Sequence, residues 1–457
     1  MTSLLWLRRD LRRGDLPALL AAADATRDDV AVVFVLDPAL WGSAGDVRRA
    51  WLAASVQAAV DSYDGKLAVL YGDPREVIPA TVRRLAVTSV HVSRETTPFG
   101  RRRDDGIAKV LRDNGIDWVE TGTPYAIGPG TLTTQAGTGF KVFTAFRRAW
   151  SDHGAPAPAG AVETSWRAVD SDADALAALR AAREAPGLID LPEAGESAAL
   201  DRWRDFLDEA LGDYDADRDR ADHRGTSGLS PYLKVGAIHP RTLLADLAPR
   251  RGSGRDIFIS ELAWRDFYGD VLWRAPRSAW HDLTDALDHM PYDDPGPEVD
   301  AWQQGRTGYP FVDAGMRQLV ATGWMHNRVR MVTASFLTKD LHVWWPVGAR
   351  FFLDHLIDGD IASNNHGWQW VAGTGTDASP YFRVFNPITQ GKKFDPDGDY
   401  VRRWVPELRH LAGAAVHEPW RHTDGYRDGY PERIVDHAAE REVALARYRG
   451  DESTPNA

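Results

Sequence analysis

The run Val30-Ala31-Val32-Val33-Phe34-Val35-Leu36 decides the fold. Seven consecutive apolar residues, mostly valine, are too few for a membrane span and read as a buried strand of a parallel sheet. Similar runs recur at Leu4–Leu7, Lys66–Tyr71, Ser89–Val92 and Ile116–Thr121, and Arg48–Ala59, Arg75–Leu85 and Asp105–Asn114 fill the gaps with helix-compatible sequence. Strands alternating with helices give successive βαβ units, so residues 1–130 are expected to form an α/β domain around a five-stranded, doubly wound parallel sheet. Such a sheet offers a ligand crevice at its strand ends. Neither the Gly-rich dinucleotide fingerprint nor the GxxxxGK[ST] loop occurs there, so motif alone assigns no nucleotide to it.

Downstream the pattern changes. Residues 131–199 are expected to connect two domains, because from Ser151 onward the composition turns to Ala, Pro, Gly, Asp and Glu, as in Gly154-Ala155-Pro156-Ala157-Pro158. After Leu200 helical spacing takes over at Leu200–Leu211, Ile257–Leu272, Phe311–Thr322 and Asn327–Leu341, so residues 200–457 are expected to be all-α. Two domains also suit 457 residues, since single cores divide beyond about 250–300.

The start of the chain has neither a signal-peptide core nor a long apolar run, which predicts a soluble, cytoplasmic protein with no membrane partner. Zero cysteines exclude disulfides, zinc thiolates, iron–sulfur clusters and cysteine nucleophiles, and no metal site is expected. The formal charge of −12 argues weakly against nucleic acid. An average can conceal a patch, however. Between Arg328 and Arg403 lie Arg330, Lys339, Arg350, Arg383, Lys392, Lys393 and Arg402, interleaved with Trp344, Trp345, Trp370, Tyr381, Phe382 and Trp404. That mixture suits a surface that holds phosphates and stacks bases.

Four clusters carry the chemistry: Gly225-Thr226-Ser227-Gly228-Leu229-Ser230; Glu261 through Trp264-Arg265-Asp266 to Tyr268; Trp324 through Asn327-Arg328 to Arg330-Met331; and Asp358-Gly359-Asp360 through Asn364-Asn365 to Trp368-Gln369-Trp370. With the opening Trp6-Leu7-Arg8-Arg9-Asp10-Leu11-Arg12 and Pro406-Glu407-Leu408, they resemble the photolyase and cryptochrome family over nearly the whole chain, and within it the class I cyclobutane-dimer branch. The resemblance implies a helical FAD-binding domain, reduced FAD (FADH−) as cofactor, UV-damaged DNA as partner and a monomeric enzyme.

Each cluster has a physical reading beside the implied one. The Thr226–Ser230 loop offers hydroxyls and amides ahead of a helix, suited to pyrophosphate or to ordinary helix capping. The resemblance makes Tyr214, Thr226, Ser227, Gly228, Leu229, Ser230, Phe258, Arg265 and Asn327 FAD contacts. It pairs Arg330 with Asp358 beside the isoalloxazine, sets Asp360 near its polar edge, and sets Asn364 at flavin N5, where an amide can donate and accept. An Asp–Arg salt bridge between helices is the plain structural alternative. Glu261, Trp264, Tyr268, Asn327, Arg328 and Trp370 resemble the lesion pocket of the dimer branch, with Glu261, Asn327, Met331 and Asn364 in catalytic roles. A dimer must leave the duplex to be reached, and Trp264 and Trp370 would then wall it, although tryptophans at such spacing more often fill cores. Met331, otherwise a core filler, stands where the (6-4) branch carries a proton-transferring histidine.

The resemblance further implies an aromatic electron wire of Trp368, Trp345 and Tyr292. Tyrosine departs from the usual outer tryptophan, and its oxidation is normally coupled to loss of a proton, so Trp344 or Trp302 are alternatives. Arg48, the basic run Phe99–Asp104 and Lys234 resemble the deazaflavin-binding form of a second, antenna chromophore site more than the methenyltetrahydrofolate form. A cryptochrome of the same fold is the rival from another class. It often carries a long C-terminal tail, and here the chain stops soon after a helical segment, Ile434–Arg449, and the polar Asp451–Ala457.

Overall fold

A computed structural model describes residues 2–26, 29–185, 191–376 and 382–450, so Tyr381 and the Asp451–Ala457 tail lie outside the described residues. The chain forms two compact units. The first comprises Met1–Gly212, Ser227–Pro276 and Ile357–Ala362, and the second Asp213–Thr226, Arg277–Leu356 and Ser363–Ala457.

The first unit is built on strands β1 (Ser3–Leu7), β2 (Val30–Leu36), β3 (Leu67–Tyr71), β4 (Ser89–Val92) and β5 (Asp117–Glu120), all parallel, in the order β3-β2-β1-β4-β5. Every residue of β1, β2 and β4 is buried, as expected of strands covered on both faces. Burying each Val or Leu there stabilises the sheet by about 1.5–3 kcal/mol. Helices α1 (Pro17–Asp24), α2 (Asp46–Ser62), α3 (Pro74–Leu85) and α4 (Pro98–Asp113) form the crossovers. Asp37, Asp73 and Thr97 cap helix starts with their side chains, and proline follows each as the first helical residue.

The stretch expected as a connector is itself structured. It holds α5 (Phe143–His153), α6 (Ala173–Arg183) and β6 (Trp166–Arg167), which pairs with Val30 and Ala31. A short sixth strand therefore lies beside β2 just ahead of the point, Val32, where β3 begins to pair. A strand of two residues is too short to show a periodicity in the sequence.

The long helix α7 (Ser253–Arg274) completes this unit. Its buried Asp266 accepts from Ile127 N at 2.8 Å, Ala126 N at 3.3 Å and Trp150 Nε1 at 2.9 Å, and Asp270 accepts from Gly130 N at 2.7 Å. One helix thus satisfies the buried backbone of the segment that follows the sheet. Arg241 and Asp15 form a further buried pair, with Nη2 to Oδ1 at 2.6 Å.

The second unit is helical, around α8 (Pro310–Thr322), α9 (Asn327–Ser335), α10 (Trp345–His355), α11 (Ile361–Ala372, its first two residues in the first unit) and α12 (His437–Arg449). The helix expected over Asn327–Leu341 is regular only to Ser335, and residues Phe336–Asp340 form a wider turn. Lys339 lies in that turn at 1% exposure, its Nζ donating to Ala372 O at 2.6 Å and lying 3.3 Å from the centroid of the Phe382 ring. It is therefore removed from the expected phosphate-holding surface, and burial holds its pKa well below that of an ordinary lysine. Among the described residues no helix is long and apolar enough to cross a membrane.

Candidate active site

In the first unit, residues 227–230 and 357–362 come together. Ser230 Oγ donates to Asp358 Oδ2 at 2.6 Å, while Asp360 forms an ion pair with Arg9 and accepts from Ala362 N at 3.0 Å. Gly228 has φ of 62°, and a Cβ there would run into the guanidinium of Arg202. Arg202 Nε donates to Ser227 O at 2.9 Å. The loop thus needs glycine for its turn and carries an exposed cation on its backbone, a combination that fits a pyrophosphate. Sequence reading assigned neither Arg202 nor Arg9 to the site. Arg9 carried a signal in its motif after β1, whereas Arg202 reaches the loop only through tertiary packing.

Two expected cofactor residues have partners of their own in this unit. Phe258 is buried in an aromatic cluster with Trp203 and Phe206, at centroid distances of 5.3 and 5.1 Å. Arg265 donates to Pro124 O at 2.7 Å and Leu233 O at 3.3 Å, with its guanidinium over Tyr125. Tyr214 and Thr226 belong to the second unit, where Tyr214 is buried beneath the Arg218 guanidinium.

Also in the second unit, Asn364 Nδ2 donates to Ala349 O at 3.1 Å and Asn365 Oδ1 at 2.8 Å. With both amide hydrogens engaged, Oδ1 is the group it can offer a ligand, as an acceptor. Arg330 is anchored by Nε to Met325 O at 2.8 Å.

The lesion candidates divide between the units. Trp264 and Tyr268 lie three and seven residues on from Glu261, on one face of α7. Trp264 and Tyr268 are 5.4 Å apart, and Phe143 stacks flat on Trp264 at 3.6 Å and 8°. Trp264 is half-buried rather than fully enclosed. In the second unit Asn327 opens α9 exposed, and Met331, one turn on, and Trp370 are half-buried against the core. The Arg383 guanidinium lies 5.3 Å from the Trp370 ring. Arg328 forms an ion pair with Asp219 at 2.9 Å and lies over Phe394, so the cation expected at a DNA backbone already has a carboxylate partner.

The wire residues all lie in the second unit. Trp368 packs against Gly348 so closely that a Cβ there would lie 2.2 Å from its ring, and Gly348 is one turn along α10 from Trp345. Trp345 Nε1 donates to Asp282 Oδ1 at 2.6 Å, and Trp344 Nε1 approaches the same oxygen at 3.4 Å. Burial and the Asp282 charge push the Tyr292 hydroxyl well above the usual phenol range.

Lys234 is half-buried, and desolvation, then the charges of Arg9 and Arg48 among others, lower its pKa to about 7. Lys234 thus lies within electrostatic reach of Arg48, the other expected antenna residue, and of the Arg9–Asp360 pair.

A parallel sheet with a ligand loop and a helical unit rich in tryptophan define a class of two-part cofactor-binding proteins, and sequence relationships give the family. A family model for DNA photolyase matches residues 3–163, and one for the FAD binding domain of DNA photolyase matches residues 258–450. The deoxyribodipyrimidine photo-lyase of Vibrio cholerae is 37% identical over 98% of this chain and 99% of its own. The structure of a class III photolyase from Agrobacterium tumefaciens is 35% identical with a TM-score of 0.88, covering 99% of this chain and 98% of that one. An archaeal photolyase from Sulfolobus tokodaii, solved with two FAD molecules, is 30% identical with a TM-score of 0.84, covering 98% of this chain and 100% of that one. The chain belongs to the DNA photolyase family.

Proposed function

We propose that this chain splits cyclobutane pyrimidine dimers in UV-damaged DNA, using light and reduced FAD. The observation that carries the reading is the end-to-end match to enzymes named deoxyribodipyrimidine photo-lyase. Light-dependent DNA repair with FAD is the function of this family, and the chain is a lyase of that kind.

Bound FAD supplies light absorption and the electron that opens the dimer. The chain's own residues bind and position. The Gly228 loop, with Arg202 and Arg9, would hold the pyrophosphate, and Thr226, Ser227, Leu229 and Tyr214 would line its path. The Ser230 hydroxyl already donates its hydrogen bond to Asp358, so its remaining capacity is as an acceptor. Asp358, Asp360 and Arg330 would fix charge around the ring, and Asn364 Oδ1 would accept a hydrogen bond from a protonated N5. Phe258 and Arg265 would contact the cofactor as well. Trp264, Tyr268 and Trp370 would receive the flipped-out lesion, with Glu261 and Asn327 hydrogen-bonding its pyrimidine edge and Met331 filling the position that a histidine takes in the (6-4) branch. The wire is proposed to run through Trp368 and Trp345.

We assign the chain to class I from the residues it shares with that branch. Its likeness to the class III structure favours a second reading, placement in class III, with the same reaction. For the antenna we propose a deazaflavin near Arg48 and Lys234. A monomer acting in the cytoplasm completes the proposal.

The test is to bind the reduced, FAD-loaded chain to dimer-containing DNA, illuminate it and assay restored pyrimidines. Repair of dimers is expected. Dimer binding without repair would point to a cryptochrome-like role, and repair confined to (6-4) lesions would overturn the branch assignment.

A further inference from the structure

We infer that the outer end of the electron wire is Trp344, and that Asp282 is the carboxylate holding charge on the Trp344–Trp345 pair. The inference rests on the proposed wire through Trp368 and Trp345. Trp345 is fully buried, yet its Nε1 donates a 2.6 Å bond to Asp282 Oδ1, which the half-buried Trp344 shares at 3.4 Å. The two indole rings are 6.3 Å apart at 65°. An anion beside a buried indole favours the oxidised, cationic ring over the neutral one, so it makes the pair a resting place for the positive charge.

The two alternatives for the outer position lack what Trp344 has. The Tyr292 hydroxyl is buried with no hydrogen-bond partner among the described residues, so no base is placed to take the proton that tyrosine oxidation releases. Burial, and then the Asp282 charge, raise its pKa, which opposes that loss. Trp302 lies 6.2 Å from Trp368 but is 0% exposed and donates to Thr333 O at 3.0 Å, so it leads inward.

The step moves one electron and no proton. With oxidised FAD bound and illuminated, Trp344 would lose one electron inward through Trp345 and Trp368 to the cofactor, and would be left as an indole radical cation facing Asp282. A small thiol in solution, itself oxidised by one electron, returns Trp344 to neutrality. No covalent bond is made or broken within the chain. Asp282 acts as a positioning residue.

The experiment follows photoreduction of bound FAD in the full-length chain with dithiothreitol, alongside transient absorption of the tryptophan radical. In the flavin-free protein, ultraviolet resonance Raman would report indole N–H hydrogen bonding. Trp345→Phe and Trp344→Phe should each slow photoreduction about tenfold or more, and Tyr292→Phe should slow it far less. Asp282→Asn should shorten the radical lifetime and weaken the indole N–H hydrogen-bond signature while FAD content is retained. If Tyr292→Phe slows photoreduction more than Trp344→Phe, or if Asp282→Asn leaves the radical lifetime unchanged, the inference is overturned. An unaffected Trp345→Phe variant would instead remove the wire on which it rests.

Discussion

Gly228 and Arg202 show how much one backbone angle controls. A residue other than glycine at φ of 62° costs about 1–2 kcal/mol, and its Cβ would displace the guanidinium that lies on the loop. Arg202→Ala should weaken FAD retention by about 1 kcal/mol, roughly fivefold, because the cation is exposed and screened. Flavin release followed by fluorescence would measure it, and unchanged retention would exclude Arg202 from the phosphate site. Trp264 poses a different choice, between stacking platform and core. Its half-burial and the Phe143 ring on one face favour a platform braced from behind. Trp264→Phe should therefore keep the melting temperature while lowering discrimination for damaged DNA by part of the ~1–3 kcal/mol that a base–aromatic stack contributes. A lowered melting temperature with intact discrimination would identify a core residue instead.

At the scale of elements, α7 serves two purposes. One face carries Glu261, Trp264 and Tyr268, and buried Asp266 ties the helix to residues 126–127 and to Trp150. Desolvation raises Asp266 to about 6, against the lowering effect of its three hydrogen bonds. The folded state therefore keeps the proton when the unfolded chain has released it. Stability from this group is complete below the ordinary carboxylate range and is lost as pH rises through about 6, by up to about 3 kcal/mol. Urea unfolding of Asp266→Asn should lack that slope, so the wild type's advantage should shrink between pH 4 and 7. A gap independent of pH would mean that Asp266 is ionised throughout. The wider turn at residues 336–340 is a second element-scale effect, since it ends the regular spacing of α9 and Lys339 lies within it, buried.

For the whole molecule, an acidic chain of net charge −12 is proposed to bind a polyanion, which requires that local basic charge outweigh the average. Lys393 and Arg328 both lie over Phe394, and Lys393 is exposed while Arg328 is held by Asp219. Affinity for damaged DNA should fall with salt, and Lys393→Ala should reduce the slope of log K against log salt by about 0.9, one phosphate contact. A slope unchanged in this variant would move the DNA contact elsewhere. The sequence alone determined the α/β-then-α order, the positions of β1 to β5 to within about one residue and the family, because continuous apolar runs, helical spacing and contiguous motifs are local properties. Site candidates such as Asn364, Asp358 and Ser230 were legible for the same reason, each standing in a short motif. Only the tertiary structure decided that residues 227–276 and 357–362 fold with the N-terminal unit, since that grouping depends on buried partners such as Asp15 with Arg241 and Asp266 with Ile127, which are over a hundred residues apart. Shorter separations, 25 residues from Arg202 to Ser227 and 63 from Asp282 to Trp345, hid those partners just as well: a charge finds its partner by where the chain returns in space, and no spacing along the chain records that.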